Sequence, residues 1–210
     1  MSAISDICGS YQNPLIRAYA VIRFQILRQR FLDEIGQYLL TEGTILDVGC
    51  GFGLFSLYFA QETGRDLYGF DLNKSRIATA NASAARLHIP NAHFEYGDAR
   101  SIKLDQRFDA AFMLDIIHHI PPQNARDLLE QISNRLNESG VLIVKDVAAR
   151  PAYKRWFTFV LDKVMDYKTP VHYWEVEELR SELLRHFKTV YVHAMIDYLP
   201  YPHVLYVCRK

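Results

Sequence analysis

The chain has 210 residues, half of them apolar, which is enough to bury a real core within the size of one α/β domain. Lysine plus arginine (24) balance aspartate plus glutamate (24), and no long basic block occurs, so the electrostatic footprint of a phosphate-backbone binder is missing and nucleic acid is not the expected partner. The opening MSAISDIC has no positive region before an apolar run, and no stretch reaches the roughly 18 apolar residues of a bilayer span, so the reading is a cytoplasmic protein without an integral membrane segment.

Between residues 14 and 40, Leu15, Tyr19, Ile22 and Ile26, then Leu27, Phe31, Ile35 and Leu39, recur at helical spacing, which predicts one long helix or two abutting ones. Gly43 ends it. Residues 44–48 read as a short buried strand followed by GCGFG and a helix over about 54–61. A second strand over 66–70 ends at Asp71, and the Ala-rich run 74–87 predicts a helix that Pro90 and Asn91 break. A third strand over 93–96 ends at Gly97-Asp98, a fourth spans 109–114, and 123–136 reads as a helix. The turn signal at 137–140 precedes a fifth strand over 141–147. Beyond Pro151 come two helical stretches, an aromatic-rich 152–165 and 174–187, and two closing strands, 188–196 and 204–208. This alternation implies βαβ units with right-handed crossovers, hence a doubly wound α/β sheet. It is read as one domain: a helical cap or lid over 1–42, a core over 44–147, and substrate-side helices with closing strands over 150–210.

Cys8, Cys50 and Cys208 are odd in number and far apart, so no disulfide framework or zinc site is expected. Only His118 and His119 are adjacent and no HExxH occurs, so no metal is expected. The chemistry concentrates in ILDVGCGFG, which puts Asp47, Gly49, Gly51 and Gly53 at the end of the first strand, where glycines let a ligand approach the backbone. The dinucleotide fingerprint fails, because its third glycine position falls on Leu54. Asp47 would repel a pyrophosphate and attract a cation. Cys50 and Phe52 fill the variable slots of the loop, where Phe52 is a candidate for touching the ligand.

These residues resemble the class I S-adenosylmethionine (SAM)-dependent methyltransferases, whose first motif has the form acid-x-G-x-G-x-G. The likeness continues in order. Asp71 stands where that family's acid bonds the ribose hydroxyls, and a carboxylate can accept both of them. Gly97-Asp98-Ala99 resembles the adenine-contacting segment. Asp109 in RFDAAFMLD and the run DIIHHI resemble the fourth motif, and LNESGVLIVKD resembles the sixth, with Ser139 where many members have glycine. The resemblance covers residues 44–147. It implies a Rossmann-like, seven-stranded sheet of order 3-2-1-4-5-7-6 with the last strand antiparallel, SAM as cofactor, and a donor site drawn from Asp47, Gly49, Gly51, Gly53, Asp71, Leu72, Asp98, Ala99 and Asp115.

Methyl transfer is an in-line displacement that needs alignment, plus a base where the acceptor loses a proton. His118 and His119 follow the fourth strand and are candidates for that base; a packing role for His119, and a turn-capping one for Asp115, are the plain alternatives. His203 is a third candidate. It closes the segment 197–203, where Pro200 and Pro202 restrict the backbone and would hold Tyr198 and Tyr201 against an acceptor. Trp156, in an aromatic-rich stretch, is either core or substrate lining, and Lys145, Arg150, Lys154 and Arg155 bring positive charge near it. The expected reaction is methylation of a hydroxyl, or a carboxyl, of a small and largely apolar metabolite of lipid-, quinone- or polyketide-like character. The rivals are carbon methylation of such a molecule, and a SAM-binding accessory subunit without turnover. A tRNA or rRNA methyltransferase would want Asn-Pro-Pro-aromatic after strand four, where the chain reads Leu114-Asp115-Ile116-Ile117.

Overall fold

The computed structural model describes residues 2–62, 64–99, 105–147, 171–195 and 203–210. Its strands are β1 (Gly43–Val48), β2 (Arg65–Asp71), β3 (Ala92–Tyr96), β4 (Phe108–Leu114), β5 (Leu136–Val147), β6 (Thr189–Met195) and β7 (His203–Arg209). They form one sheet in the order β3-β2-β1-β4-β5-β7-β6. β1 pairs with β2 and β2 with β3 in parallel, whereas β7 is antiparallel to both β5 and β6. That is the doubly wound sheet and strand order expected from the resemblance. The chain gathers into two compact units, Met1–Asp98 with Phe108–Ala110, and Ala99–Arg107 with Ala111–Lys210.

The first unit holds α1 (Ala3–Ser10), α2 (Pro14–Ile26), α3 (Gln29–Gly36), α4 (Leu54–Phe59) and α5 (Lys74–Leu87). α2 starts where Asn13 accepts the Leu15 N–H at 2.9 Å and Pro14 presets the first helical φ. It stops at Leu27, and α3 restarts with Phe31, Leu32 and Ile35 buried. The expected helical run of 14–40 is therefore two helices, both finished by residue 36. α1 lies outside that reading, because Ser5, Asp6 and Ser10 dilute its apolar signal. The Asn73 side chain caps α5 by accepting the Ser75 and Arg76 N–H groups. In β1, Ile45, Leu46 and Val48 are all buried, the near-continuous apolar run of a strand covered on both faces. Each such side chain contributes on the order of 2 kcal/mol. At the strand's start, the Asp109 carboxylate accepts the Thr44 N–H at 2.8 Å and its hydroxyl at 3.1 Å, so this acid of the fourth motif serves the fold.

The second unit holds a 3-10 turn at Ile117–His119, α6 (Pro122–Arg135) and α7 (Val176–Leu183). β5 is assigned from Leu136 but pairs with β7 only from Val141, and between them the chain doubles back in the turn expected at 137–140. Gly140 is needed there for a close approach: a Cβ on it would lie 2.9 Å from both the Asn137 carbonyl oxygen and Leu136 Cβ. β7 begins one residue earlier than expected, at His203, which is buried and registers with Val147 on one side and Met195 on the other. Trp156, Tyr198 and Tyr201 lie outside the described residues. No helix of the described residues is long and apolar enough to cross a membrane.

Candidate active site

In the first unit the site is built from backbone. Gly49, Gly51 and Gly53 follow β1 with φ of 75°, 56° and 78°, the left-handed region that side chains rarely adopt. Two of these glycines do different jobs. A Cβ on Gly53 would lie 2.7 Å from Phe94 Cζ, so packing demands glycine, whereas a Cβ on Gly51 would meet nothing within 4 Å and marks the open face of the loop. Asp71, at the end of β2, ties the loop down: Oδ2 accepts the Gly51 N–H at 3.0 Å and Oδ1 the Asn73 N–H at 2.8 Å. Each carboxylate oxygen has a second lone pair, so the capacity to accept a vicinal diol remains. Leu72, next in sequence, is exposed, and the Gly97 N–H donates to the Asp71 carbonyl at 3.1 Å. Asp98 and Ala99 are half-buried.

Asp47 sits below the loop, buried, and accepts the Ser56 hydroxyl at 2.5 Å. Burial pushes its carboxyl up to about 7, with the Asp71 charge adding to the shift and the Ser56 bond opposing it. Asp47 is thus a buried acid whose charge depends on whether a cation lies near. Burial, then Asp47 and Asp71, hold the Cys50 thiol well above its ordinary value, so it is neutral and no nucleophile. The loop is also latched from the N-terminal side. The Tyr11 hydroxyl donates to the Phe52 carbonyl at 2.9 Å, the Tyr19 ring meets Phe52 edge-on at 5.5 Å, and the Arg76 guanidinium lies 5.7 Å from the Phe52 ring centroid. A lone tyrosine between two helices gave no periodic signal, and sequence reasoning did not single out Tyr11 for this contact.

In the second unit the candidate residues form a cluster of side chains. Asp115, directly after β4, has φ +58°, a strained value for a residue with a Cβ. Its N–H donates to the Lys145 carbonyl at 2.9 Å and its carboxylate is ion-paired with the Lys145 ammonium, which is wholly buried. One residue along β5, the Asp146 carboxylate is bonded to His118 Nδ1; the two residues are 3% and 1% exposed. A carboxylate at Nδ1 keeps the proton there in the neutral imidazole and leaves Nε2 as the basic nitrogen. The ring is walled by Tyr173, stacked at 5.6 Å, and by His119 at 4.2 Å, and the His172 N–H donates to the His118 carbonyl at 2.7 Å.

Of the three histidine candidates, the structure brings His118 and His119 together. His203 registers with Val147, and successive strand residues face opposite ways, so it stands on the sheet face opposite to Asp146. Asp146 and His172 were not among the expected site residues. A signal existed for Asp146: Lys145 and Asp146 are adjacent charges in a strand otherwise apolar from Val141, and buried charges need partners. Among the described residues, no group of three or more His, Cys, Asp or Glu is arranged to hold a metal ion. A shallow depression at the amino ends of β2 and β3 is lined by Arg65, Asp66, His88 and Asn91. Arg65 and Asn91 direct their donors to the carbonyls of Leu40, Ala60 and Arg65, which gives that depression a structural role.

Residues 45–140 match the methyltransferase domain family. Over 174 residues the chain is 25% identical to sphingolipid C9-methyltransferase 2 of Gibberella zeae, covering 77% of this chain and 33% of that protein. Over 122 residues it is 27% identical to a ubiquinone biosynthesis O-methyltransferase of Coxiella burnetii, covering 58% of this chain and 50% of that one. The chain thus spans between a third and a half of the length of these relatives. Magnesium protoporphyrin IX methyltransferase of Synechocystis PCC 6803, solved with SAH bound, superposes with a TM-score of 0.68 at 18% identity, covering 95% of this chain and 89% of that one. A 4+2 cyclase, SpnF, superposes with a TM-score of 0.71 at 18% identity over 86% of this chain and 80% of its own, so the fold alone does not dictate the reaction. Over residues 45–140 the chain is thus similar to the methyltransferase domain family, and its strand order and the acid-glycine loop at the end of β1 are those of the class I methyltransferase fold.

Proposed function

We propose that the chain transfers the methyl group of SAM to a hydroxyl, or a carboxyl, of a small and largely apolar metabolite of lipid-, quinone- or polyketide-like character. The observation that carries this reading is the His118–Asp146 pair: an imidazole 1% exposed, held at Nδ1 by a carboxylate 3% exposed. A hydroxyl acceptor must lose its proton as it is alkylated, and an oriented imidazole with a basic Nε2 is suited to take it. The buried carboxylate fixes the ring and stabilises the imidazolium that forms, without itself becoming protonated.

The donor-side residues fit the cofactor. Bound SAM supplies a methyl group on a cationic sulfonium. Asp71 would accept the ribose hydroxyls through its remaining lone pairs, the open space at Gly51 leaves room for a ligand against the backbone, and Leu72, Asp98 and Ala99 would hold the adenine. Asp47, charged when a cation is near, favours the donor electrostatically. His119 walls the base and is assigned a positioning role, and Asp115 is assigned to the Lys145 pair that braces the turn after β4.

Carbon methylation is the second reading, favoured by the match of 77% of this chain to a sphingolipid C9-methyltransferase. A carbon acceptor also loses a proton after methylation, so the same base would serve. Incubation with methyl-labelled SAM and a metabolite extract, followed by mass spectrometry, separates the two. The label is expected on oxygen of an apolar product; label on carbon establishes the second reading, and no labelled product rejects turnover.

A further inference from the structure

We propose that Tyr11 is a positioning residue for the methyl donor, a role that rests on the donor reading of the glycine loop given above. Its hydroxyl, acting through the Phe52 carbonyl, holds the loop in the shape that receives SAM and couples donor binding to the docking of α1 and α2. The loop has little stiffness of its own. Gly49, Gly51 and Gly53 all stand at positive φ, and glycine loses more backbone freedom on ordering than any other residue, so bonds from outside must impose the shape. At the base, the Gly49 and Cys50 N–H groups both donate to the Phe70 carbonyl, at 2.9 and 3.0 Å. At the tip, Asp71 accepts the Gly51 N–H and Tyr11 donates to the Phe52 carbonyl at 2.9 Å. That carbonyl lies ahead of the α4 ladder, which opens with the Leu57 N–H on the Gly53 carbonyl at 2.8 Å. Tyr11 therefore orients the peptide next to Gly51, where a Cβ would meet nothing within 4 Å and the loop is open to a ligand.

Tyr11 is in turn fixed from both sides. It caps the C-terminus of α1 and is wholly buried; the Arg17 guanidinium donates to its carbonyl at 3.0 Å, and Arg86 of α5 to the Ser10 carbonyl at 2.8 Å. The buried residues of α1 and α5 are apolar except for Ser10 and Ser83, whose hydroxyls bond each other. A paired hydroxyl in an apolar seam stabilises no more than apolar groups of the same shape, but it selects one arrangement of the two helices. That arrangement aims the Tyr11 hydroxyl at the loop. Burial raises this hydroxyl above its ordinary range, against the Ser83 hydroxyl beside it, so it stays protonated and donates. The Phe52 ring adds three contacts, edge-on with Tyr11 at 6.5 Å and Tyr19 at 5.5 Å and under Arg76 at 5.7 Å, which tie the loop tip to the end of α1, to α2 and to α5.

Calorimetric titration of the full chain with SAH provides the test, in the parent, Tyr11→Phe and Ser133→Ala. Tyr11→Phe removes one hydroxyl and keeps the ring. Ser133→Ala removes a buried hydroxyl of the second unit that donates to the His186 carbonyl at 2.8 Å, so it controls for a lost bond far from the loop in sequence. Both variants are expected to fold with slightly lowered urea midpoints. SAH affinity should fall about fivefold in Tyr11→Phe and stay within about twofold of the parent in Ser133→Ala. Hydrogen exchange gives a second readout that needs no variant: saturating SAH should slow the amides of residues 8–20 at least about threefold, together with those of 49–53. Unchanged SAH affinity in folded Tyr11→Phe overturns the role of Tyr11 and leaves the donor reading standing. So does an equal loss in the two variants, or protection confined to 49–53 in the parent. A parent chain that does not bind SAH overturns the donor reading and the role of Tyr11 with it.

Discussion

The donor-side cluster of Met1–Asp98 is mostly backbone: three glycines at positive φ, and one carboxylate that accepts two N–H groups within two and twenty residues of itself. The cluster after β4 is side chain against side chain, His118 with Asp146 and Asp115 with Lys145, across 28 and 30 residues of chain. The first kind of site tolerates changes around it as long as the loop keeps its shape. The second depends on each partner, since a buried charge left alone has neither water nor counter-ion.

The comparison breaks most severely at Lys145. Lys145→Met leaves Asp115 without its ammonium and is expected to cost about 3–5 kcal/mol in chemical denaturation, and Asp115→Asn in the same chain should restore much of it. Gly51→Ala, in open space, should cost only about 1 kcal/mol, from its left-handed φ. A cost at Gly51 as large as that at Lys145 would refute the contrast.

The side-chain cluster is expected to control rate and the backbone cluster affinity. His118→Gln should lower methylation about 10²-fold or more with SAH affinity unchanged in calorimetry, and Asp146→Asn about tenfold or more by releasing the ring. Asp71→Ala should weaken SAM binding by about 1.5–3 kcal/mol through loss of charge-assisted bonds. Unchanged affinity would remove Asp71 from the donor site.

The smallest effect is a pH dependence at Asp47. Its carboxyl is raised to about 7 in the fold, so it is protonated below that pH and charged above it. Because the folded value exceeds the unfolded one, the ligand-free chain should lose stability as pH rises through about 7. A bound cation favours the charged form, so SAM affinity should rise over the same window, by at most about tenfold per pH unit, with proton release on binding. Calorimetry in buffers of different ionisation enthalpy measures that release, and Asp47→Asn should abolish it.

The same division explains what was legible in the sequence. The glycine loop, Asp71 and α5 were readable because each is local: a glycine run, an acid at a strand end, and helix-forming residues behind Asn73. The Tyr11 latch and the His118–Asp146 pair were not, because they join residues 41 and 28 apart that no period relates. His203 was placed at the end of a proline-containing segment, whereas ladder pairing to both Val147 and Met195 draws it into β7.

Steady-state kinetics on the identified acceptor tests the division of labour most directly, with Asp71→Ala and His118→Gln compared side by side. Asp71→Ala is expected to raise KM for SAM with kcat nearly retained, and His118→Gln to lower kcat about 10²-fold with KM for SAM unchanged. A His118→Gln enzyme that turns over at the parent rate would contradict the assignment of the buried imidazole as the base.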